Sequence, residues 1–368
     1  MIRTQRGVFP VVALVTSLML TACGEQKSAQ EPDASATPSP SGASKPADIV
    51  IDLADLEKGA APKIGWRQDL TLHDADRTVR LAGNELADVA VLGNRIITRG
   101  PGQSGDTEVQ VRDSKGTITD RFPNPLSRLV TNSERTIIAW IAEDNTPMVL
   151  QAGHREPLDL PRVSKTKGDQ GDAVAVLGND CFHGPEEVEG AGCSVFFTLT
   201  SKDKRAPFVA SNHGFVQEAD STITDLLDVS DDRALIGIVD PTAASLCSRY
   251  ESEATSYRTC DHVLSEFSPD GRSILGYSSE ITEGPALDAI DVLDAATGKT
   301  RLTARSPADS ATIWETAWED ESHVLAIVNQ DETTWAIVRI GVDGKAELAV
   351  GPVEDAESTT VFGFATQP

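Results

Sequence analysis

The feature that most constrains the fold of this chain is an internal repeat. Four segments align with one another, and each is a polar turn followed by an apolar run: SERTIIAWIAED from Ser133, SDDRALIGIVDP from Ser230, PDGRSILGYSSE from Pro269 and EDESHVLAIVNQ from Glu319. A shorter form, LGNRIITRG from Leu92, has a near copy in LGNDCFHG from Leu177. Such repetition indicates a fold assembled from copies of one supersecondary unit.

The interval between the copies has the size of a propeller blade. The equivalent turn positions, separated by 41, 44, 54, 39 and 50 residues, are Asn94, Arg135, Asn179, Arg233, Arg272 and Ser322. Four-stranded blades repeat at about 40 to 50 residues. The spacing therefore predicts one blade for each copy.

Hairpin patterns occur between these turns. Apolar residues alternate on both flanks of a tight turn, which often contains Asp-Gly, Thr-Gly or Lys-Gly. The hairpins are VQVRDSKGTITDRF from Val109, MVLQAGHREPLDL from Met148, VFFTLTSKDKRAPFV from Val195, IDVLDAATGKTRLTA from Ile290 and AIVRIGVDGKAELAV from Ala336. We assign them to strands c and d of blades whose strands a and b flank the repeated turn.

The ends of the repeat region predict how the ring closes. Residues 65–81 have the pattern of a c-to-d hairpin with no a or b strand before it, and TTVFGFATQ from Thr359 has the pattern of a lone inner strand. Pairing the two ends in one composite blade removes edge strands that would promote aggregation. We predict an all-β propeller of seven blades, with six as the alternative.

The N-terminus has the layout of an export signal. Arg3 and Arg6 precede an apolar run at residues 8–20, which ends at the small residues Thr21 and Ala22. The run contains Pro10 and is shorter than the roughly 20 apolar residues of a membrane-spanning helix. We predict a signal peptide at residues 1–22, with a permanent membrane helix as the alternative.

The end of this segment, Leu20-Thr21-Ala22-Cys23, resembles the lipobox of bacterial lipoproteins. The resemblance implies that Cys23 becomes the N-terminal residue, carries a diacylglyceryl group on its sulfur and can take a further acyl chain, such as palmitate, on its amino group. Two chains anchor a protein stably to a lipid bilayer. We therefore expect the chain on the outer face of the bacterial cell membrane. The alternative is an ordinary secretory signal.

A disordered tether is predicted after the cysteine. Residues 24–48 contain no aromatic residue and no aliphatic residue larger than Ala, so they cannot bury enough apolar surface to offset their ordering entropy. As a flexible coil they would reach roughly 25 to 30 Å. We predict the lipidated cysteine and tether at residues 23–48 and one β-propeller domain at residues 49–368.

Four further cysteines, in an oxidising compartment, allow three pairings. We place Cys181 in a b strand and Cys193 at the start of the c strand of one blade, and Cys247 and Cys260 on the c and d strands of the next. This placement favours the disulfides Cys181–Cys193 and Cys247–Cys260, each worth up to about 3 kcal/mol. The alternative is a metal site of Cys181, His183 and Cys193, which lacks the close pairs typical of structural zinc.

The sequence contains no catalytic signature. Gly102-Gln103-Ser104-Gly105 is followed by Asp106, where a nucleophile elbow requires Gly. The six histidines lack a metal-binding spacing, and the acidic runs lack the spacing of an EF-hand loop. These runs are Glu186-Glu187, Asp231-Asp232 and Glu319-Asp320-Glu321. We expect no metal and no cofactor, and we expect the five tryptophans mostly to pack between blades.

FSPDGRSIL from Phe267 resembles bacterial WD-repeat-like seven-bladed propellers. The chain lacks the Trp-Asp and Gly-His dipeptides of eukaryotic WD repeats, so the partner rules of that family do not transfer. GAAPKIGWRQDLTLHDADRTVRL from Gly59, together with the lipobox and tether, also resembles uncharacterised lipoproteins of high-GC Gram-positive bacteria. This second resemblance implies a location and no activity.

Two classes of function follow from these features. The net charge of −25 argues against nucleic acid as a partner. We predict a monomeric binding or scaffolding module for a protein or a cell-envelope ligand. The alternative is a cell-envelope hydrolase or lyase that uses acidic residues at the mouth of the propeller channel, and a cluster of converging Asp, Glu or His side chains there would favour it.

Overall fold

The computed structural model describes residues 46–75, 77–83, 86–102, 105–163, 168–183, 191–202, 204–239, 246–279, 287–307, 311–355 and 362–366. Their regular elements are all β-strands, and none of these residues belongs to a helix long and apolar enough to cross a membrane. The predicted signal peptide, Cys23 and most of the predicted tether lie outside the described residues.

The strands of the first half of the chain are β1 Ala47–Val50, β2 Trp66–Gln68, β3 Thr71–Asp74, β4 Arg77–Arg80, β5 Asp88–Leu92, β6 Arg95–Pro101, β7 Thr107–Arg112, β8 Ile118–Pro123, β9 Val130–Thr131, β10 Ile137–Ile141, β11 Pro147–Gln151, β12 Leu158–Asp159, β13 Gln170–Asp180 and β14 Gly192–Ser201. Those of the second half are β15 Lys204–Ser211, β16 Val216–Glu218, β17 Asp225–Val229, β18 Leu235–Val239, β19 Cys247–Glu251, β20 Ser256–Thr259, β21 His262–Phe267, β22 Ser273–Ser278, β23 Ala289–Asp294, β24 Thr300–Arg305, β25 Ala311–Asp320, β26 His323–Gln330, β27 Thr334–Gly341, β28 Ala346–Glu354 and β29 Phe362–Phe364.

These strands form seven sheets, which confirms the seven-bladed propeller. Blade 1 is composite, with the order β29-β2-β3-β4. Blades 2 to 7 each take four consecutive strands, from β5–β8 to β25–β28, and blade 6 has β1 as a fifth strand on its outer edge. The first strand of each four is the inner strand.

The core lies between neighbouring blades. β10 and β18 are buried at every position, because each is a second strand whose two faces are covered by the adjoining blades. One apolar cluster joins Val149 of blade 3 to Phe197 of blade 4, and another joins Leu302 of blade 6 to Val338 of blade 7. Near-continuous apolar runs are what strands covered on both faces require.

The chain ends close the ring, as predicted. β2 pairs antiparallel with β29, and Trp66 lies opposite Phe364. The predicted c-to-d hairpin at residues 65–81 is wrong in one respect, because this segment forms three strands, β2 to β4, and so also supplies strand b. Asp69 and Ala75 adopt positive φ values of 53° and 47° at the two tight turns that divide it.

Residues 47–64, which we call the N-terminal strap, run along blades 6 and 7. β1 pairs in parallel with β24, and Lys58 forms an isolated parallel bridge with Leu348 of β28. Ile51 and Leu53 are buried in the cluster between blades 6 and 7. Ala47 and Asp48, which the sequence analysis assigned to the tether, are the first residues of β1.

The strand assignment of blade 4 differs from the prediction. Cys181 was placed in strand b, but it follows β13, the inner strand, and Cys193 lies in β14, which is strand b. The run from Val195 is accordingly a b-to-c hairpin. LGNDCFHG resembles LGNRIITRG, yet Gly178 has a φ of 99° and the chain leaves the sheet after Asp180, so the second strand begins only at Gly192.

Candidate functional site in the central channel

The central channel contains two successive cavities. The upper cavity, of about 340 Å³, is lined by Arg67, Arg128 and Glu315 near the starts of the inner strands. The lower cavity, of about 330 Å³, is lined by residues near the ends of the inner strands, such as Arg135. Asp228 and Glu266 line both cavities and therefore lie where the two meet.

β-Bulges place these two carboxylates at equivalent positions in neighbouring blades. The register of β17 with β18 shifts between Leu226 and Asp228, and the register of β21 with β22 shifts between Leu264 and Glu266. A bulge inserts one residue and changes the direction in which the following side chain points. In both strands the acid is the first paired residue after the bulge.

Several acidic side chains of the inner strands form hydrogen bonds with the next blade. The backbone N–H of Phe267 in blade 6 donates to Asp228 Oδ2 at 2.7 Å, and the N–H of Phe364 in blade 1 donates to Glu315 Oε1 at 3.3 Å. The N–H of Leu129, directly before blade 3, donates to Asp88 Oδ2 at 3.3 Å. These carboxylates satisfy backbone donors that would otherwise lack partners between blades.

Glu266 in blade 6 follows the same pattern. The backbone N–H of Trp318 in blade 7 acts on its carboxylate, and its backbone carbonyl accepts from Trp318 Nε1 at 3.5 Å. Burial and the neighbouring Asp228 raise the pKa of Glu266 well above its usual value, and Arg128 acts in the opposite direction. Glu266 therefore also faces the next blade while lining both cavities.

Burial also raises the pKa values of Asp228 and Glu315. Burial raises the pKa of Asp228 to about 7, against the opposing effect of the N–H donors of Phe267 and Val229. The protein around Glu315 raises its pKa to about 7 as well. Glu315 is exposed to solvent within the channel, whereas Asp228 is only 7% exposed.

Within the described part of the chain, no hydrogen bond joins Asp228, Glu266 and Glu315 to one another. Asp228 already accepts two backbone N–H groups, with the second from Val229 at 2.7 Å. A general acid must reach the atom that it protonates, and Asp228 is engaged with its own backbone. The arrangement is suited to binding polar groups between acids and the guanidinium groups of Arg67 and Arg128.

The cysteines are joined as predicted. Cys181 is bonded to Cys193 and Cys247 to Cys260, with Cα–Cα distances of 4.9 and 4.1 Å. Cys181 and Cys193 therefore have no free thiols for the alternative metal site with His183. The His183 ring instead contacts Asp180, with 2.8 Å between Nδ1 and Oδ2.

One acidic run is held by cations of the protein itself. Glu319, Asp320 and His323 have potential ligand atoms within 4.8 Å of one another. Arg339 donates to both carboxylate oxygens of Glu319, and Lys63 Nζ lies 2.6 Å from Asp320 Oδ2. These ion pairs give the run a structural role. Ser104 and the pair Glu186-Glu187 lie outside the described residues.

The tryptophans agree with the prediction except at one position. Trp140 and Trp318 are buried between blades, and Trp66 is 9% exposed. Trp314 is 45% exposed. The sequence analysis did not single out Asp228 or Glu266, although both lie just before the aligned turns that begin at Ser230 and Pro269, and this recurrence of an acid was the available signal.

Comparison with known proteins supports the fold alone. No family model matches the chain, and no curated protein matches it. Oligopeptidase B from Trypanosoma brucei aligns with a TM-score of 0.51 and 8% identity, over 83% of this chain and 50% of that protein. YCF48 bound to D1 peptide aligns at 0.44 with 11% identity, over 80% and 88% of the two chains. A putative TolB from Agrobacterium tumefaciens aligns at 0.40 with 12% identity, over 63% and 83%.

Proposed function

We propose that this chain is a lipid-anchored, extracytoplasmic propeller that acts as a binding or scaffolding module for a protein or a cell-envelope ligand. The observation that carries the binding role is the convergence of acidic and basic side chains on the channel cavities. Asp228 and Glu266 line both channel cavities, and the guanidinium groups of Arg67 and Arg128 line the upper cavity with them. Polar groups that converge on a preformed cavity are typical of a binding site.

The anchor rests on the sequence. The run Leu20-Thr21-Ala22-Cys23 has the lipobox pattern, and the following residues have the composition of a flexible tether. We expect the mature protein to partition with membranes through acyl chains on Cys23. Intact-mass measurement of detergent-extracted protein tests this directly, with Cys23→Ala as the matched variant. An unmodified N-terminus downstream of residue 23 would contradict it.

The binding role is tested with the channel intact and altered. Detergent-solubilised cell-envelope material is passed over the immobilised mature protein, over a Glu266→Gln variant and over an Arg272→Gln control. The Arg272 side chain is 84% exposed. We expect a component that the parent and the control retain and the channel variant loses. Retention by all three proteins would place binding outside the channel.

The same variants distinguish the enzymatic alternative. A hydrolase or lyase would release soluble fragments from the envelope material with turnover, and Glu266→Gln would abolish the release while Arg272→Gln would not. A binding module retains its ligand unchanged, so the mass of the recovered component equals that of the component applied. Catalytic release by the parent would overturn the proposal.

A further inference from the structure

The upper cavity of the channel contains two cations without ion-pair partners among the described residues. Arg67 lines it from blade 1, and Arg128 lines it from the segment before blade 3. The only hydrogen bonds that these two side chains make with described residues go to backbone carbonyls. The cavity is therefore a place of positive charge in a chain whose net charge is −25.

Most N–H groups of the two guanidinium groups are available to a ligand. Arg67 Nη1 donates to the carbonyl of Asp69 at 3.3 Å, and Arg128 Nε donates to the carbonyl of Ala173 at 3.4 Å. A guanidinium group has five N–H donors. The other donors of the two side chains have no acceptor among the residues that the structure describes, so a bound anion can accept from them.

The acids of the same cavity already have partners. Asp228, Glu266 and Glu315 each receive a backbone N–H from the next blade, and Asp88 is in an ion pair with Arg99. Burial raises the pKa values of the first three, to about 7 for Asp228 and Glu315, so protons neutralise part of their charge at neutral pH. The acids therefore cancel only part of the positive charge of the two arginines.

A glycine makes room for one of the two guanidinium groups. Arg67 lies opposite Gly363 of the inner strand β29, and both residues line the cavity. A Cβ atom on Gly363 would lie 2.8 Å from Nε and 3.1 Å from Cζ of Arg67. The guanidinium group lies over the inner strand, beside the channel, because position 363 has no side chain.

We infer that the upper cavity binds a small dicarboxylate group of the ligand, whose oxygens accept hydrogen bonds from Arg67 and Arg128. This inference deepens the proposed binding role of the channel and rests on it. The planar fork of a guanidinium matches the two oxygens of a carboxylate, and such charge-assisted bonds are roughly twice as strong as neutral ones.

The size of the cavity and the charge of the chain limit the ligand group. The volume of about 340 Å³ is within the range of sites for small molecules. The net charge of −25 repels a large polyanion, which would extend beyond the cavity over the acidic surface. A compact group with its charges inside the channel avoids this repulsion.

The test titrates the full mature protein in detergent with malonate, succinate and glutarate, and with the diamide of glutarate as the uncharged control. We expect calorimetry at about pH 6.5, where these acids are ionised, to detect saturable binding of at least one acid and none of the diamide. Arg67→Gln and Arg128→Gln should each raise the dissociation constant at least about tenfold, and the exposed control Arg272→Gln less than about twofold. No binding by the parent, or equal losses in all three variants, would overturn the inference.

Two milder variants separate a built site from general attraction by positive charge. Arg128→Lys keeps the charge but loses the planar fork, and Gly363→Ala keeps both arginines but displaces the Arg67 guanidinium. We expect each to raise the dissociation constant at least about threefold with a cooperative thermal melt retained. Parent-like affinity in both folded variants, or tighter binding of inorganic phosphate than of every dicarboxylate, would overturn the inference.

Competition separates this inference from the proposed function. The envelope component that the parent protein retains is washed with the tightest-binding dicarboxylate. Elution would show that the component itself presents carboxylates to the upper cavity, and dicarboxylate binding without elution would assign the cavity to a free dicarboxylate. Retention of a component by a parent that binds no dicarboxylate would overturn the inference and leave the binding role standing.

Discussion

Two neighbouring parts of the ring, blades 4 and 5 and blades 6 and 7, are stabilised in different ways. Blades 4 and 5 each contain a disulfide, Cys181–Cys193 and Cys247–Cys260, and each bond links residues 12 or 13 positions apart in the same blade. Blades 6 and 7 contain no disulfide in their described residues and are crossed instead by the N-terminal strap. The first device stabilises a local loop, and the second connects neighbouring blades to a distant part of the chain.

The strap depends on one buried cation. Arg339 donates to Glu319 at 2.5 and 2.8 Å, and to the carbonyls of Ala60 and Ala61 at 3.1 and 3.0 Å. It also pairs with Glu347. The side chain of Glu319 is fully buried and that of Arg339 is 7% exposed. The hydrogen bonds of Arg339 therefore join segments much farther apart in the sequence than either disulfide does.

The largest effect is expected from deletion of the final ten residues. This deletion removes β29, the inner strand of blade 1, and exposes the apolar faces of β2 and blade 7. We expect loss of the cooperative thermal transition, measured by circular dichroism. A matched deletion of residues 24–44, outside the described residues, should leave the melting temperature unchanged. Parent-like melting of the C-terminal deletion would show that β29 does not close the ring.

The next largest effect is expected at Arg339. An Arg339→Leu variant leaves the Glu319 carboxylate buried without its cation, which costs about 3 to 5 kcal/mol. Denaturant titration measures the loss, and Arg272→Leu serves as the exposed control, with a change of less than about 1 kcal/mol. The strap should also become accessible to protease. Similar stability of the two variants would mean that the strap adds little to blades 6 and 7.

A smaller and more local effect is expected from each disulfide. Cys181→Ala/Cys193→Ala opens a loop of 12 residues and should lower the free energy of unfolding by up to about 3 kcal/mol. Hydrogen exchange should increase in blade 4 and stay unchanged in blade 7. Equal increases in both blades would show that the disulfide acts on the whole ring, contrary to the comparison.

The smallest expected effect is a dependence of stability on pH, which differs between blade 5 and blade 7. Asp228 in blade 5 has a pKa of about 7 in the folded protein, above the 3.8 of an ordinary Asp. The folded state therefore binds this proton more tightly, and its contribution to stability is complete below about pH 4 and is lost as the pH rises through about 7. Asp320 in blade 7 has a lowered pKa because Lys63 and His323 donate hydrogen bonds to it, so its contribution is present above about pH 4 and is lost on further acidification.

Melting temperatures from pH 4 to pH 8 test this assignment. We expect the parent to lose stability between about pH 4 and pH 7 through Asp228, and we expect Asp228→Asn to be less stable overall but flatter across this range. The Asn side chain has only one oxygen, so it can accept a hydrogen bond from the N–H of Val229 or from that of Phe267. Its NH2 group would face the other N–H donor, which destabilises the variant. An unchanged slope in the variant would remove Asp228 as the cause.

The sequence predicts the parts of this molecule that repeat. The turns before β10, β18, β22 and β26 recur as similar segments, so the blade count and the closure of the ring could be predicted from spacing. Blade 4 was misassigned because LGNDCFHG resembles LGNRIITRG, whereas the chain leaves the sheet after Asp180. The strap could not be predicted, since its contacts with blades 6 and 7 join residues more than 250 positions apart.

The channel shows the same limit. Asp228 and Glu266 recur before aligned turns, but their placement in the channel depends on bulges that are not marked by residue type. The disulfide pairing was predictable because both partners lie close together in sequence. Contacts set by local spacing were therefore accessible, and contacts set by the closure of the ring were not.

The central claim is that both chain ends share blade 1, and an engineered cross-link tests it most directly. Arg67 lies directly opposite Gly363 in the pairing of β2 with β29, at a separation that a disulfide can span. The Arg67→Cys/Gly363→Cys variant is made together with Cys23→Ala, oxidised and mapped by mass spectrometry of its peptides. We expect a bond between residues 67 and 363 and a higher melting temperature in the oxidised form. Free thiols at both positions in a cooperatively folded protein would contradict the closure of the ring by the chain ends.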